Sequence, residues 1–302
     1  LVVSAVLRGF ETATSMLDRV VVAEMQDNSP DAAAIGDAAD KAFASGATII
    51  AANGDLQWVP ANGLSNPAHA RRVIGVGAWD LTGQALDPNT SYGATADLRN
   101  KPDLLAPSGT ETAGASADDA NTYHGSTSGA TPYVAGGAAL VRNWIVQAAG
   151  KADPGQIYAQ LILSGEKDGP FDASGAEGVG KIKLPTNGWC YFGKIEITDT
   201  YRECTIPISI NWPDMKRIEA AIWWPEELVV SGGAEVDTHN DLNITLVDPS
   251  GVVQKRSSSL TGVYERCAAP VTTSSGTWYL KIDSATLKKL PQTVYWTVAL
   301  RR

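Results

Sequence analysis

Basic runs and long apolar runs are both missing from this sequence. Its 24 Lys and Arg residues are scattered among 33 Asp and Glu residues, which gives a formal net charge of −9. Nucleic-acid binders usually cluster Lys and Arg, and a membrane-spanning helix needs about 20 consecutive apolar residues. We therefore expect neither a nucleic-acid partner nor a membrane partner. The 44% hydrophobic content predicts a globular protein with a sizeable core.

Cysteine is also scarce. The three cysteines, Cys190, Cys204 and Cys267, lack the close spacing of a metal-binding CxxC motif. The sequence favours one disulfide and one remaining thiol in a secreted product, and it leaves three free thiols in a reducing compartment open. The N-terminal "LVVSAVLRGF" has no basic leader and no small-residue cleavage site, so it predicts neither an anchor nor a signal peptide.

The pattern of predicted elements changes along the chain and indicates two domains. Over residues 1–185, short β-branched runs alternate with helical stretches, which predicts an α/β domain with a parallel sheet and flanking helices. Over residues 186–302, short runs with alternating polarity are separated by turn residues, which predicts an all-β sandwich.

Small and hydroxyl-bearing residues crowd the stretch "HGSTSGATPYVAGGAAL", residues 124–140, just before an apolar helical run. Close helix packing explains the glycines but not three consecutive hydroxyls. Unpaired N–H groups and a partial positive charge at a helix N-terminus suit a nucleophilic hydroxyl beside a developing oxyanion. From these residues alone both interpretations stay open. Pro132 is expected in the first turn of the helix, where proline is tolerated.

The segment "TSGATPYVAG" resembles the serine block of the subtilisin-like proteases (subtilases), G-T-S-M-A-x-P-H-V-A-G. Ser128 falls on the nucleophile. Three positions depart from the block: Ser126 replaces glycine, Gly129 replaces methionine and Tyr133 replaces histidine. The matching positions are Thr127, Ser128, Ala130, Pro132, Val134, Ala135 and Gly136.

A second segment, "DKAFASGATIIAANGD", is similar to the family stretch that ends in A-A-G-N, whose asparagine helps to form the oxyanion hole. This resemblance assigns that role to Asn53, although Gly54 follows the asparagine here instead of preceding it. Asn-Gly is also a common turn pair, so a purely structural Asn53 is the alternative. The similarity covers roughly residues 20 to 183.

The resemblance also implies a substrate-binding wall. Where the family has a strand carrying Ser-Leu-Gly that pairs with an extended polypeptide substrate, this chain has Glu24, Met25 and Gln26. Glu24 would favour a basic substrate residue or simply face solvent. The same comparison assigns Ala51, Ala52 and Thr127 to the substrate site.

The catalytic base is not evident from the sequence. In subtilases the triad runs in the order Asp, His, Ser, so both partners of Ser128 are expected upstream, on a segment or separate chain not among these residues. The chain's own histidines, His69, His124 and His239, are expected in loops or on the surface. We therefore expect a serine endopeptidase portion that is incomplete and inactive alone. A catalytically inactive pseudoprotease serving as a binding or scaffold module is the alternative, and a hydrolase using His69 is a third.

The C-terminal domain carries a family resemblance of its own. "RIEAAIWWPEE" and "HNDLNITLVDPSGVV" resemble the jelly-roll-like sandwich that follows some subtilase domains. Its aromatic residues are expected in the core, with an exposed carbohydrate-binding platform as the alternative. No cofactor is expected, although Asp241 and Asp248 could hold a structural calcium ion. Family habit implies a secreted or extracytoplasmic protein. The aromatic residues are Trp223, Trp224, Trp278, Tyr279, Tyr295 and Trp296.

Overall fold

Two compact units make up the part of the chain that the computed structural model describes. The first comprises Leu1–Pro154 and Ala173–Ile182, and the second comprises Gly155–Asp172 and Lys183–Arg302. The predicted domains, 1–185 and 186–302, stay a prediction, and the structure adds that residues 155–172 cluster with the second unit. The described residues are 3–27, 33–56, 65–95, 97–171, 175–184, 189–227, 229–231, 234–236, 238–271 and 275–302.

A parallel sheet lies at the centre of the first unit. Its helices are α1 Val3–Ser15, α2 Ala33–Ala44 and α3 Ser126–Ala149. Its strands are β1 Val20–Ala23, β2 Thr48–Ala52, β3 Ile74–Asp80, β4 Ala85–Leu86, β5 Gly93–Ala94, β6 Asn100–Lys101, β7 Leu104–Ser108, β8 Thr110–Ala113 and β9 Asn121–His124. The strands β1, β2, β3 and β7 pair in that order, all parallel, and β4 adds to β3 in antiparallel orientation.

The apolar sequences of these strands explain why they form a parallel sheet that is buried between helices. Every residue of β2 is buried, and a continuous apolar run is typical of a parallel strand covered on both faces. Helix α3 contacts β1, β2, β3 and β7, while α2 contacts β2 and α1 contacts α2. The predicted α/β class with a parallel sheet and flanking helices is confirmed.

Helix α2 forms where the apolar spacing predicts it. Ile35, Ala39, Ala42 and Phe43 recur at helical intervals and are buried together. In the sequence, Ser29 can cap this helix and Pro30 suits its first turn, so Ser29-Pro30-Asp31 predicts the helix start; these three residues lie outside the described residues. No helix in the described part of the chain is both long and apolar enough to cross a membrane.

Two four-stranded antiparallel sheets dominate the second unit. One has the order β10-β19-β12-β17 and the other β11-β18-β15-β16, with β13 and β14 forming a separate hairpin. The sheets contact each other through β15 and β17. The predicted β-rich region is confirmed, whereas its jelly-roll-like character stays a prediction. The strands are β10 Trp189–Ile197, β11 Cys204–Ile210, β12 Arg217–Trp223, β13 Val229–Ser231, β14 Ala234–Val236, β15 Asp241–Val247, β16 Val253–Ser257, β17 Tyr264–Pro270, β18 Gly276–Thr286 and β19 Gln292–Arg301.

One helix, α4 Pro154–Leu163, packs against the first of these sheets. The ring of Tyr158 meets the ring of Trp223 edge-on, with centroids 4.9 Å apart. At the C-terminal end of α4, the Nε atom of Arg266 donates to the carbonyl of Leu163 at 3.1 Å. Arg266 also pairs with the Asp168 carboxylate at 2.5 Å, so one buried guanidinium fixes the end of the helix.

Most of the predicted aromatic core is buried. Trp223, Trp224, Trp278 and Tyr295 are each at most 7% exposed, whereas 36% of Tyr279 is exposed. The expected disulfide is not formed, because Cys190, Cys204 and Cys267 all carry free thiols.

Candidate active site

Ser128 lies in the first turn of α3, at the edge of the sheet where parallel strands end. Its side chain is half-buried, and its Oγ donates to the backbone carbonyl of Glu24, just beyond the end of β1, at 3.3 Å. The Nε2 of Gln26 lies 3.4 Å from the same Oγ. The expectation that a serine hydroxyl is displayed at the front of this helix agrees with the geometry.

The helix start is strained at Ser126. Gly125 is the N-cap residue with extended backbone angles, and Ser126 follows with a φ of 57°. A left-handed conformation is uncommon for a serine and costs about 1 to 2 kcal/mol. Strain of this kind tends to occur at functional sites, where surrounding contacts hold the backbone in place.

Asp55 accepts the hydrogen bonds that hold this helix start. Its Oδ1 accepts the Ser126 hydroxyl at 2.5 Å, the Thr127 hydroxyl at 2.6 Å and the Thr127 backbone N–H at 3.1 Å. Its Oδ2 accepts the Nε2 of Gln26 at 3.1 Å. We call Gln26, Asp55, Ser126 and Thr127 the Asp55 cluster. It joins the segments that follow β1 and β2 to the helix that carries Ser128.

Burial and hydrogen bonding act in opposite directions on Asp55. Burial raises the pKa of its carboxyl group. The hydrogen bonds from Ser126, Thr127 and Gln26 together lower that pKa by more than burial raises it, so the pKa lies below its usual value. Donors directed at a carboxylate stabilise its charged form. The carboxylate is therefore ionised at neutral pH, beside the positive end of the helix dipole.

Asn53 lies close in sequence to Asp55 but faces elsewhere. Its side chain is fully buried, and its Nδ2 donates to the backbone carbonyl of Ser91 at 2.6 Å. Its Oδ1 faces Gly75, where an added Cβ would lie 2.6 Å away. The structure does not bring its amide to Ser128, so the oxyanion role stays a prediction, and the geometry favours the structural alternative.

The turn after β2 explains this separation. Gly54 has a φ of +115°, which L side chains rarely adopt, and an added Cβ would lie 2.9 Å from the Ser91 hydroxyl. Its N–H donates to the Thr127 hydroxyl at 3.2 Å. Glycine therefore reverses the chain here, with Asn53 directed into the sheet and Asp55 toward α3.

The predicted substrate-binding residues fall into two groups. Glu24, Met25 and Gln26 follow the end of β1, and they are exposed or half-buried beside Ser128. Ala51 and Ala52 are fully buried within β2. Thr127 is also fully buried, and its hydroxyl serves the Asp55 cluster. The buried alanines therefore position the turn after β2 and do not present side chains to a substrate.

The histidines are not hydrogen-bonded to Ser128. Among the residues that the structure describes, no histidine nitrogen is within hydrogen-bond distance of its Oγ. His124 ends β9, four residues before Ser128, and His69 lies in a turn before β3. In the second unit, the Nδ1 of His239 pairs with Glu226 at 2.6 Å, which raises the pKa of the imidazole against the opposing effect of burial.

Pro132 corrects one expectation about the helix. It lies inside α3, in the second turn, and not in the first turn as expected. Because proline has no N–H, the carbonyl of Ser128, four residues earlier, lacks its intrahelical donor. Pro132 itself is exposed, so its ring does not disturb the core.

Of the two proposed calcium ligands in the second unit, Asp248 already has protein partners. Asp248 accepts the backbone N–H groups of Ser250 and Val252 and the side-chain amide of Gln254, as a turn residue does. Within the described residues, no group of three or more His, Cys, Asp or Glu side chains could hold a metal ion. A calcium ion at Asp241 and Asp248 stays a prediction.

Sequence reasoning missed the Asp55 cluster. Gln26 was assigned to a substrate wall, Ser126 counted as a departure from a motif, and Asp55 received no role. The sequence did contain one signal for this cluster: the acidic residue Asp55 comes directly after Gly54, in the turn that follows the buried strand β2. Only the tertiary structure brings that carboxylate to a helix start about 70 residues later along the chain.

Comparison with known proteins decides the family. A model of the Subtilase family matches residues 18–180, which is more than half of the chain. The chain belongs to the subtilase family. Subtilases are serine proteases, and the match includes the serine block and the turn after β2. A search of curated proteins found no match to this subtilase chain.

Several solved structures are similar to this subtilase chain. The S41 psychrophilic protease is 21% identical, with 61% of this chain and 63% of that chain covered and a TM-score of 0.48. The prenylagaramide maturation protease PagA is 25% identical, with 61% and 65% covered and a TM-score of 0.49. Sphericase is 19% identical, with 61% and 63% covered and a TM-score of 0.48. The chain thus spans less than two thirds of each of these proteins.

Proposed function

We propose that this chain is the nucleophile-bearing part of a subtilisin-like serine endopeptidase. The observation that carries the proposal is the position of the Ser128 hydroxyl, which is half-buried in the first turn of α3 and adjacent to the end of β1. Family membership adds the chemistry, since Ser128 matches the nucleophile of the serine block.

The helix start supplies part of the required electrostatics. Among the described contacts, the Ser128 backbone N–H has no acceptor, so it is free to donate to an oxyanion. The Ser128 Oγ would attack the carbonyl carbon of the scissile peptide, and the tetrahedral oxyanion would form near this N–H. The positive end of the α3 dipole would stabilise it.

The proton from Ser128 needs a base. Because the described histidines make no hydrogen bond to its Oγ, we propose that the catalytic Asp and His come from a segment or chain outside these 302 residues. That histidine would accept the Ser128 proton and later give it to the leaving amine, and the Asp would orient it. The chain alone would then have little activity.

We further propose that the substrate is an extended polypeptide that lies along Glu24, Met25 and Gln26. This segment directly follows β1, and extended peptides bind by pairing their backbone with a strand. Glu24 is exposed, so a basic substrate side chain would have a partner there. An extracytoplasmic location fits the habit of the family.

Cleavage of an unfolded polypeptide tests the proposal. The chain is mixed with a subtilase segment that carries the Asp and His blocks, and peptide fragments are followed by mass spectrometry. We expect cleavage from the mixture, loss of cleavage with Ser128→Ala, and no change with the exposed control Ser15→Ala. Cleavage that persists in Ser128→Ala would contradict the assignment.

A pseudoprotease that binds polypeptides is the second candidate, and it is favoured because no described histidine makes a hydrogen bond to the Ser128 hydroxyl. Such a module would bind an unfolded polypeptide with equal affinity whether residue 128 is serine or alanine, and it would release the ligand uncut even when the Asp and His segment is present. Binding of the polypeptide without its cleavage, in the mixture of the chain with the Asp and His segment, would therefore support the pseudoprotease.

A further inference from the structure

Resting on the proposed function, we propose that the side chain facing the oxyanion position is the Asp55 carboxyl group, not the Asn53 amide, and that its ionised form slows reaction at Ser128. Asp55 would then be an inhibitory group inside the catalytic site. The inference follows from the contacts of these two side chains and from the donor chemistry that an oxyanion requires.

Asn53 is excluded by its surroundings. An oxyanion donor must present an N–H or O–H group to the cleft, at about 2.7 to 3.1 Å from the developing charge. The Asn53 side chain is fully buried, and its Nδ2 donates to the Ser91 carbonyl at 2.6 Å. Turning this amide toward Ser128 would leave that buried carbonyl without its donor.

Asp55 occupies the place that Asn53 does not reach. One amide nitrogen, Gln26 Nε2, lies 3.1 Å from Asp55 Oδ2 and 3.4 Å from Ser128 Oγ. The carboxyl group and the nucleophile are thus separated by a single polar atom. The other carboxyl oxygen is held by Ser126 and Thr127 at the N-terminus of α3.

The chemistry of the carboxylate opposes an oxyanion. An ionised carboxylate only accepts hydrogen bonds, so it cannot donate to the tetrahedral intermediate. Two negative charges at one helix start would also repel each other. In the resting site, Asp55 already takes the position at the helix N-terminus that a developing anion would use.

The neighbours of Asp55 keep it ionised. The side chains that contact it are Gln26, after β1, and Ser126 and Thr127 of α3; all three are neutral and all three donate. They hold the pKa of Asp55 below its usual value, although burial raises it. Protonation, which would turn the group into a donor, therefore requires strongly acidic solution.

Asparagine at position 55 would remove the conflict. Its Oδ1 would keep the hydrogen bonds from Ser126 and Thr127, and its Nδ2 would supply the missing donor. The Gln26 amide would turn by half a rotation, so that its oxygen accepts from the new Nδ2. The substitution therefore replaces a repulsive group by a donor without changing the size of the side chain.

The rate of fluorophosphonate labelling at Ser128 tests the inference, because the bound phosphoryl oxygen takes the oxyanion position. The chain is used together with a segment carrying the Asp and His blocks. We expect Asp55→Asn to label about 100- to 1,000-fold faster than the wild type, by analogy with the value of one oxyanion donor. The ratio should hold from pH 5 to pH 8, since Asp55 stays ionised over that range.

Asp87→Asn is the matched control. The Asp87 carboxylate also accepts a serine hydroxyl, from Ser108 at 3.0 Å, and a backbone N–H, from Asn89 at 3.0 Å. Its labelling rate should equal that of the wild type. Asp55→Ser offers a second neutral donor if the asparagine variant folds poorly, as judged by thermal unfolding, and it should also label faster.

The outcomes separate the two proposals. Wild-type labelling at Ser128 with an equal or slower rate in Asp55→Asn and Asp55→Ser would overturn the inference and leave the protease proposal intact. Labelling of Ser128 in the neutral variants alone would support both proposals. Absence of labelling in the wild type and in both folded variants would contradict both.

Discussion

The Oδ1 atom of Asp55 accepts the backbone N–H of Thr127 at 3.1 Å, so the residue that follows the turn after β2 caps the helix that carries Ser128. This contact matters because the first N–H groups of a helix have no intrahelical partner, and a carboxylate satisfies one of them while complementing the helix dipole. The turn after β2 and the position of the nucleophile are therefore coupled.

Thr127→Val should destabilise the first unit. The Thr127 hydroxyl donates to Asp55 at 2.6 Å and accepts the Gly54 N–H at 3.2 Å, so its loss leaves a buried N–H without an acceptor. We expect the free energy of unfolding to fall by about 1 to 3 kcal/mol in chemical denaturation. Thr131→Val is the control, because its hydroxyl donates only to the Thr127 carbonyl of the same helix at 2.7 Å, and it should cost less. Equal losses would contradict the account.

Ser126 combines backbone strain with a hydrogen bond, and two substitutions separate them. Both Ser126→Gly and Ser126→Ala lose the hydroxyl that donates to Asp55, but only glycine adopts a φ of 57° without strain. We expect the glycine variant to be more stable than the alanine variant by about 1 kcal/mol in thermal or chemical unfolding. An alanine variant as stable as the glycine variant would show that the helix start is not strained.

Glu265 should make the stability of the second unit depend on pH. Burial raises its pKa to about 7, against the lowering effect of hydrogen bonds from Ser257 and Ser259. The pKa of Glu265 in the folded protein therefore lies above its value in the unfolded chain. The contribution of neutral Glu265 to the free energy of unfolding is fully present below about pH 4.5, and it is lost as the pH rises through 7.

Glu265→Gln checks that direction. The free energy of unfolding of the wild type should fall relative to the glutamine variant between pH 4.5 and pH 7, by an amount on the order of 3 kcal/mol. Glu196→Gln, at an exposed position of β10, should leave the pH profile unchanged. A wild type that gains stability over this range relative to Glu265→Gln would contradict the prediction.

Arg266 should contribute far more than Arg217 to the stability of the second unit. The buried Arg266 guanidinium contacts the Leu163 carbonyl and the Asp168 carboxylate, so Arg266→Met leaves both without their donor. We expect a loss of about 3 to 5 kcal/mol in the unfolding of the second unit. Arg217→Met removes a half-exposed ion pair with Glu219 and should cost less than about 1 kcal/mol. Comparable losses from the two variants would contradict this account of α4.

Local sequence signals predicted much of the fold. The helical spacing of Ile35, Ala39 and Phe43 marked α2, and the apolar run through Ile49 and Ile50 marked a buried strand. These predictions succeeded because burial of one helix face or of a whole strand requires apolar residues at fixed intervals. The position of Ser128 near a helix start followed from the same reasoning together with the family resemblance.

Contacts between distant segments were beyond that reasoning. The direction of Asn53 depends on the φ of Gly54, and the role of Asp55 depends on a helix that follows about 70 residues later. The clustering of α4 with the second unit depends on rings such as Tyr158 and Trp223, which a linear pattern does not pair. The free cysteines likewise reflect where three strands place them, which spacing alone did not reveal.

Phosphonylation of the intact protein tests the central claim, that Ser128 is a displayed nucleophile, most directly. The chain and a segment carrying the Asp and His blocks are treated with a fluorophosphonate, and the modified residue is located by peptide mass spectrometry. The account predicts one adduct per chain, at Ser128, and none in Ser128→Ala. An adduct at another residue, or none at Ser128 in the folded mixture, would contradict it.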